Sequence, residues 1–455
     1  MGRCSSSKWH SSLIGGGINS APCNIIVTPG AEGQPGNVGP QGPPGAAGQF
    51  DYCAFLPVNT NSIANTRFPL FQPTANVVIV DDGNGATLLA ALAVANNTTV
   101  LVSNGPYTIA TPMVFTADNV WVVADPPDQS VEIVLVAPVA ITMANIIALQ
   151  NIAFIGLTLR NNAGLARNFN VLEYNGGASG YVYRNHLTYG PDNVVTGAQA
   201  GVCLDVNHNT GSLVATAVLA LENIADGFQK VGIRVNRGNG PLGGNTIGLI
   251  LNNVVTGAGP TPITAQIGIQ FGRQAEGLVS GNTVSGCHFT GPDVAAAGIL
   301  LFQLYNDNVT VQFNTCFENG YNLSSNDCTS IVIQGNEVTN SFVAGLIVEG
   351  WINAPVNASE NYPVKIIQNV AMNNTIVDLW DATTGFASAY TANYWLCNTA
   401  ETDNLDGMLV ASRSPFPPGP LPYPPDMVAL VYNLLPVVVV EFPNRYTVPM
   451  PTLVL

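Results

Sequence analysis

The sequence predicts an all-β fold: a right-handed single-stranded parallel β-helix with an N-terminal capping helix, preceded by a short collagen-like triple-helical stalk. Two observations predict it, a strict glycine repeat near the start and two short phrases that recur with one period along the body. The composition agrees, because 46 glycines and 32 prolines among 455 residues favour turns over long helices. Only 9% of the residues are charged, which is low for a globular protein.

The glycine repeat occupies residues 30–48, where every third residue is glycine without a miss. Only glycine fits at the axis of three wound polyproline-II chains, so the repeat predicts a triple helix about 60 Å long and a homotrimer. A flexible Gly/Pro-rich linker is the alternative. The repeated residues are Gly30, Gly33, Gly36, Gly39, Gly42, Gly45 and Gly48.

The body repeats a short apolar run that ends in asparagine, with a second phrase led by glycine between successive asparagines, as in Gly232–Val235 and Gly268–Phe271. Each repeat would be one coil, and asparagines stacked at the same bend would satisfy backbone groups of the turns. An ordinary β-sandwich with asparagine in its turns is the alternative. The predicted structural asparagines are Asn223, Asn253, Asn282, Asn314, Asn336 and Asn369.

The start of the body has a distinct order of elements. A turn at Asp81–Gly85 precedes helix-forming residues 86–95, and short strand-like runs follow. The pieces DGNGATLLAALAVA, TTVLVSNGPYTI and NVWVVAD together resemble the first coils of pectin-lyase-like right-handed β-helix proteins. The resemblance covers residues 76–400 and implies a helix that caps the first coil. Because phage tailspikes and many polysaccharide-acting enzymes share this fold, it does not determine an activity.

Composition shifts divide the rest of the chain. The proline-rich run 415–425 cannot continue a sheet, and residues 427–442 are too apolar to remain exposed, which predicts that they pack on the body or on sister chains. The predicted organisation is an N-terminal arm (1–29), the collagen-like stalk (30–48), a linker (49–76), the β-helix (77–400), a proline-rich linker (401–425) and a C-terminal β clasp (426–455).

Charge and motif content exclude several classes of partner. The net charge of −15 disfavours binding to nucleic acid, and the sequence has no apolar run long enough for a membrane span. Neither zinc-ligand spacing nor a phosphate-binding loop is present, so we expect no metal and no cofactor. The first residues, MGRCSSSKWH, lack the apolar core of a secretory signal, which favours a route to a surface through particle assembly.

Catalytic residues are sparse. The resemblance implies that carboxylates would line one outer sheet face, yet the aspartate, histidine and lysine motifs of polygalacturonases are not assembled here. Paired carboxylates can act as acid and base in glycoside hydrolysis. The remaining candidates, which adjoin one another in early coils, are Asp205, His208, Glu222 and Asp226. The turn-like setting of His208 equally predicts a solvated structural residue.

These features predict a trimeric structural surface protein, a fibre, spike or outer-layer component that attaches to a particle through its N-terminal arm and takes a glycan as its other partner. Collagen-like triplets joined to such a body resemble giant-virus or spore-surface fibre proteins, which implies a virion surface or, alternatively, a spore surface. A tailspike-like polysaccharide hydrolase or lyase is the competing hypothesis. The sequence alone leaves the question of enzymatic activity open.

Overall fold

The computed structural model describes most of the predicted body. The arm (1–29), the stalk (30–48) and the proline-rich run 415–425 lie outside the described residues. The described ranges are 74–164, 169–190, 195–210, 212–237, 244–273, 275–291, 296–304, 309–329, 331–349, 364–383, 391, 393–405, 407–411, 440–441 and 447–448.

Three parallel sheets form the walls of a solenoid, in which the repeating unit is a strand in sheet A, then one in sheet B, then one in sheet C. Sheet A contains β1 (Asn76–Val80), β2 (Thr98–Val102), β4 (Val120–Ala124), β7 (Ile152–Ile155), β10 (Ser179–Tyr183), β13 (Thr216–Leu221), β16 (Thr246–Leu251), β19 (Ala275–Ser280), β22 (Val309–Gln312), β25 (Val332–Gln334), β28 (Lys365–Ile367) and β31 (Tyr394–Leu396).

Sheet B contains β3 (Tyr107–Ile109), β5 (Val131–Leu135), β8 (Leu157–Asn161), β11 (His186–Thr188), β14 (Ile224–Asp226), β17 (Val254–Thr261), β20 (Thr283–Phe289), β23 (Thr315–Phe317), β26 (Glu337–Thr339), β29 (Val370–Met372) and β32 (Thr399–Ala400). Sheet C contains β6 (Ala144–Ile147), β9 (Leu172–Asn175), β12 (Val202–Asn207), β15 (Val231–Asn236), β18 (Ile267–Gly272), β21 (Ala297–Phe302), β24 (Tyr321–Asn326), β27 (Ala344–Glu349) and β30 (Val377–Asp381). The predicted parallel β-helix is confirmed.

Both open ends of the solenoid carry a helix. The predicted capping helix is α1 (Gly85–Val94), which places Leu88 and Leu92 in the core. Asn84 caps it by accepting from the Ala86 amide at 2.9 Å. The short helix α2 (Met408–Ala411) lies against β31 and buries Leu409 in the same core. Covering the ends removes the last coils from solvent and from pairing with other chains.

Outside the three sheets the structure describes one more pair of strands, β33 (Val440–Glu441) and β34 (Thr447–Val448), which are antiparallel. They fall within the predicted C-terminal clasp. The rest of that segment lies outside the described residues.

The asparagines of the repeat stack at the corner between sheets A and B. In one step of this ladder, Asn253 Oδ1 accepts from both the backbone amide and the Nδ2 of Asn223, each at 2.9 Å. Its own Nδ2 donates to the Ala220 carbonyl at 3.1 Å and to Asn282 Oδ1 at 2.9 Å. The same contacts recur in every step, and the ladder consists of Asn185, Asn223, Asn253, Asn282, Asn314, Asn336, Asn369 and Asn398.

This corner is tight because the residue before each ladder asparagine turns the chain through the left-handed region. Glu222, Asn252 and Gln368 hold φ angles of 54°, 53° and 53° there. A single left-handed residue is enough to redirect the strand, and the following asparagine then supplies the hydrogen bonds that the turn lacks.

The glycine-led phrase marks the start of strands in sheet C. A Cβ atom at Gly232 would lie 2.7 Å from the carbonyl oxygen of Gly268, and one at Gly268 would lie 2.6 Å from that of Gly298. A side chain therefore does not fit at either of these two glycines. In β12 the equivalent position is Cys203, because Leu204 pairs with Ile233.

Candidate functional site

A polar strip crosses the outer face of sheet C. The strands stack in register, so that Glu173 of β9, Asp205 of β12 and Arg234 of β15 lie side by side, with Gln270 of β18 next in line. Their neighbours along each strand point into the core, because side chains alternate across a sheet. The strip therefore brings together charges that are one full coil apart in sequence.

Asp205 is the buried centre of the strip. Only 1% of its side chain is exposed, and Arg234 binds both of its carboxylate oxygens, with Nε at 2.8 Å and one terminal nitrogen at 2.5 Å. The Arg234 side chain is 26% exposed and so lies between the buried carboxylate and solvent. A two-point contact of this kind fixes the orientation of both groups.

Asn170 joins the second carboxylate to the first. Its Nδ2 donates to Glu173 Oε2 at 3.0 Å and to Asp205 Oδ2 at 3.1 Å. Because both oxygens lie within hydrogen-bond distance of one nitrogen, they are at most about 6 Å apart. Asn175 donates to the other Glu173 oxygen at 3.3 Å. This upper limit admits the separation of about 5–5.5 Å that paired carboxylates use in retaining glycoside hydrolysis.

The two carboxylates have different surroundings. Burial raises the pKa of Glu173, and the negative charge of Asp205 raises it further. Asp205 is instead paired directly with a guanidinium. A carboxyl group whose pKa is raised can act as a proton donor near neutral pH. Glu173 is thus the group in the strip that is suited to donate a proton.

The raised pKa of Glu173 predicts a pH effect on stability. A carboxyl that holds its proton more tightly in the folded chain makes the free energy of unfolding fall as pH rises from its ordinary pKa of 4.5 to the raised value. Glu173→Gln removes this titration, so we expect its stability to decline less than that of the wild type over this pH range. Urea unfolding at a series of pH values measures both curves. Glu132→Gln, on sheet B, is the control, and the prediction fails if Glu173→Gln follows the wild-type decline.

The predicted site residues are distributed over different parts of the coil. His208 is buried after β12, where Nε2 donates to the Ser212 carbonyl at 2.9 Å and Nδ1 lies 3.0 Å from the Thr216 hydroxyl. A carbonyl can only accept, so Nε2 is the donor in the contact with Ser212. His208 therefore holds the connection between sheets C and A, and it is buried rather than solvated as the turn-like sequence predicted.

Glu222 lies at the ladder corner and Asp226 lies on sheet B, whereas the strip lies on sheet C. Glu222 accepts from Arg184 Nε at 2.8 Å, and Asp226 Oδ2 lies 2.9 Å from His186 Nε2. Burial raises the pKa of Asp226, but hydrogen bonds from His186 and Thr188 outweigh it and hold the pKa below its ordinary value. The structure thus gives Asp205, His208, Glu222 and Asp226 separate partners, and a catalytic role for them remains a prediction.

Glu173, Asn170 and Arg234 belong to the strip but were not singled out by the sequence. The sequence signal that could have found them is Arg234, which occupies the outward position of a glycine-led phrase. The residue at the same position one coil earlier is its neighbour in the sheet. Following that register would have led to Asp205 and then to Glu173.

The described residues contain no group of three or more His, Cys, Asp or Glu side chains arranged to hold a metal ion. Their buried thiols Cys203, Cys287 and Cys316 have raised pKa values because burial disfavours the thiolate. Among the helices that the structure describes, none has the length and hydrophobicity of a membrane span.

The chain matches no protein-family model and no curated protein sequence. Among solved structures it is similar to the periplasmic alginate epimerase AlgG, with 11% identity and a TM-score of 0.37 over 67% of this chain and 69% of that chain. A point mutant of the same enzyme gives 11% identity and a TM-score of 0.36 over 72% and 85% of the two chains. A likeness at this level concerns the β-helix fold and carries no argument about activity.

Proposed function

We propose that this chain is a structural surface protein, whose solenoid is a rigid body that projects from a particle. The observation that carries the proposal is the uninterrupted stack of twelve strands in sheet A, held by a ladder of buried asparagines through eight successive coils. At about 4.8 Å per strand, the stack makes a rod about 50 Å long. Stability of this kind suits a body that bears load or spaces a partner from a surface.

The glycine repeat at 30–48 supports a trimer in this proposal. Three parallel copies of the repeat would wind into a stalk, and the arm at 1–29 would attach the stalk to the particle. The combination of collagen-like triplets and a β-helix, which resembles giant-virus and spore-surface fibre proteins, favours the outer layer of a virion over a spore surface. Immunogold labelling of intact particles with an antibody against the solenoid tests this location.

A trimer makes a direct prediction for the mass in solution. The intact chain is expected to have three times the monomer mass of 47.5 kDa by mass photometry. Gly39→Ala places a Cβ at the crowded axis and should shift the population towards monomer, as should deletion of residues 30–48. Ala46→Ser, which keeps the glycine phase, is the matched control. An intact chain that remains monomeric would contradict the trimer.

One observation favours a second candidate function, cleavage of a polysaccharide. Glu173 and Asp205 form a close carboxyl pair on an outer sheet face, and the pKa of Glu173 is raised as a proton donor requires. Against it, both oxygens of Asp205 are held by Arg234, which leaves the second carboxylate little freedom to attack or to activate water.

Turnover of glycans distinguishes the two functions. The purified protein is incubated with acidic and neutral polysaccharides, and new reducing ends or unsaturated products are measured. The structural proposal predicts binding at most, with no product above a blank. Product formation that is lost in Glu173→Gln and kept in Glu132→Gln would overturn it in favour of the enzyme.

A further inference from the structure

The outer face of sheet A differs from that of sheet C, because it is apolar over seven consecutive strands from β2 to β19. Inward residues such as Val218 and Ile250 belong to the main core, whereas their neighbours Leu219 and Leu249 form a separate cluster on the opposite side. Strand register places Tyr181, Leu219, Leu249 and Leu278 in one outward column. The column continues as Thr310, where the uniformly apolar part of the face ends.

These outward side chains are buried although the strands that carry them leave that side open. Leu249 is 0% exposed in the single chain, and Leu219 and Tyr181 are also buried. A face about 30 Å tall and two to three side chains wide is too large an apolar patch to leave uncovered on a soluble protein. Its cover must come from another part of the same chain.

The burial of this face is graded along the solenoid. Outward residues of the first strand, Val77 and Ile79, are 48% and 65% exposed. Beyond β19, in contrast, Val332, Lys365 and Tyr394 remain half-buried although polar and apolar residues alternate on the face there. A covering segment that precedes β1 in the chain would have to pass over the first strand, which is exposed. The gradient of burial therefore indicates that the covering segment follows the last strand of the sheet.

We infer that residues 427–442 lie along the outer face of sheet A of their own chain. The segment MVALVYNLLPVVVVEF has three residues that are not apolar, Asn433, Pro436 and Glu441. The described body ends at residue 411 beside β31, the last strand of sheet A, and β19 lies four strands, about 20 Å, away. Residues 412–426 can span up to about 50 Å, and 427–442 are long enough for the whole apolar face.

Photo-cross-linking of the full-length protein tests this placement. p-Benzoyl-L-phenylalanine replaces Tyr181, a change between aromatic side chains, and the cross-linked peptide is identified by mass spectrometry. The expected product joins position 181 to residues 427–442. The same probe at Val254, an exposed outward residue of sheet B, is the control and should not give that product.

Light and heavy chains that are unfolded, mixed and refolded together before irradiation identify the donor chain. Cross-links within chains of one isotope support the inference. Mixed light-heavy peptides would assign the cover to a sister chain, and products with residues 1–73, or no protein cross-link at all, would overturn it as well. Deletion of 427–455 should also raise the fluorescence of the dye ANS severalfold, because it uncovers the face.

Discussion

Asn253→Ala is expected to lower the free energy of unfolding by about 3–5 kcal/mol, since it removes the middle of the asparagine ladder. The substitution leaves the Asn223 amide and side chain without their acceptor, and it removes the side-chain donor to the Ala220 carbonyl. All of these groups are buried, so water cannot replace the lost bonds. Chemical denaturation followed by circular dichroism measures the change.

Asn209→Ala is the matched control for the ladder. Its side chain is exposed after β12, and only its backbone amide is hydrogen-bonded, to Asn175 Oδ1 at 3.0 Å. We expect a change within about 0.5 kcal/mol, as for other surface substitutions. Equal losses for the two variants would mean that the ladder contributes nothing specific to stability.

Arg234→Met is expected to cost about 3–5 kcal/mol, because it leaves the carboxylate of Asp205 buried without its counter-charge. Methionine keeps much of the arginine stem and its packing, so the effect reports on the charge. The double variant Asp205→Asn with Arg234→Met removes the unpaired charge and should recover most of the lost stability. Urea unfolding at neutral pH of both single variants and the double variant gives the coupling energy.

A second ion pair provides the comparison. Arg160 and Glu132 approach to 2.6 Å on sheet B, but both side chains are partly exposed. Arg160→Met should therefore cost less than about 1 kcal/mol. If it destabilises the protein as much as Arg234→Met does, burial of Asp205 is not the cause of the larger effect.

The fold was predictable because its signals are local and repeated. Each ladder asparagine carries its own turn, so the spacing of Asn223, Asn253 and Asn282 indicates a coil without knowledge of the loops between them. Asn398 was missed, although it follows Asn369 by 29 residues and repeats the same pattern. The apolar inner columns and the capping helix α1 follow from the same periodicity.

The polar strip was only partly predictable, because its residues meet across coils of unequal length. Sequence reasoning grouped Asp205 with His208 and Glu222, which are close to it along the chain. In the fold these two residues lie at other corners of the coil. The partners of Asp205 are Arg234, 29 residues later, and Asn170, 35 residues earlier. These separations depend on loop lengths, which no local pattern encodes.

The tight corner between sheets A and B determines where this chain tolerates extra sequence. Successive ladder asparagines are separated by as few as 22 and as many as 38 residues, yet the corner itself keeps the same geometry. The variation in coil length therefore lies away from this corner, at the connections between sheets B and C and between sheets C and A. Added residues should therefore be tolerated in those connections, whereas a single residue added beside Asn253 would reverse the inside and outside of the strand that follows.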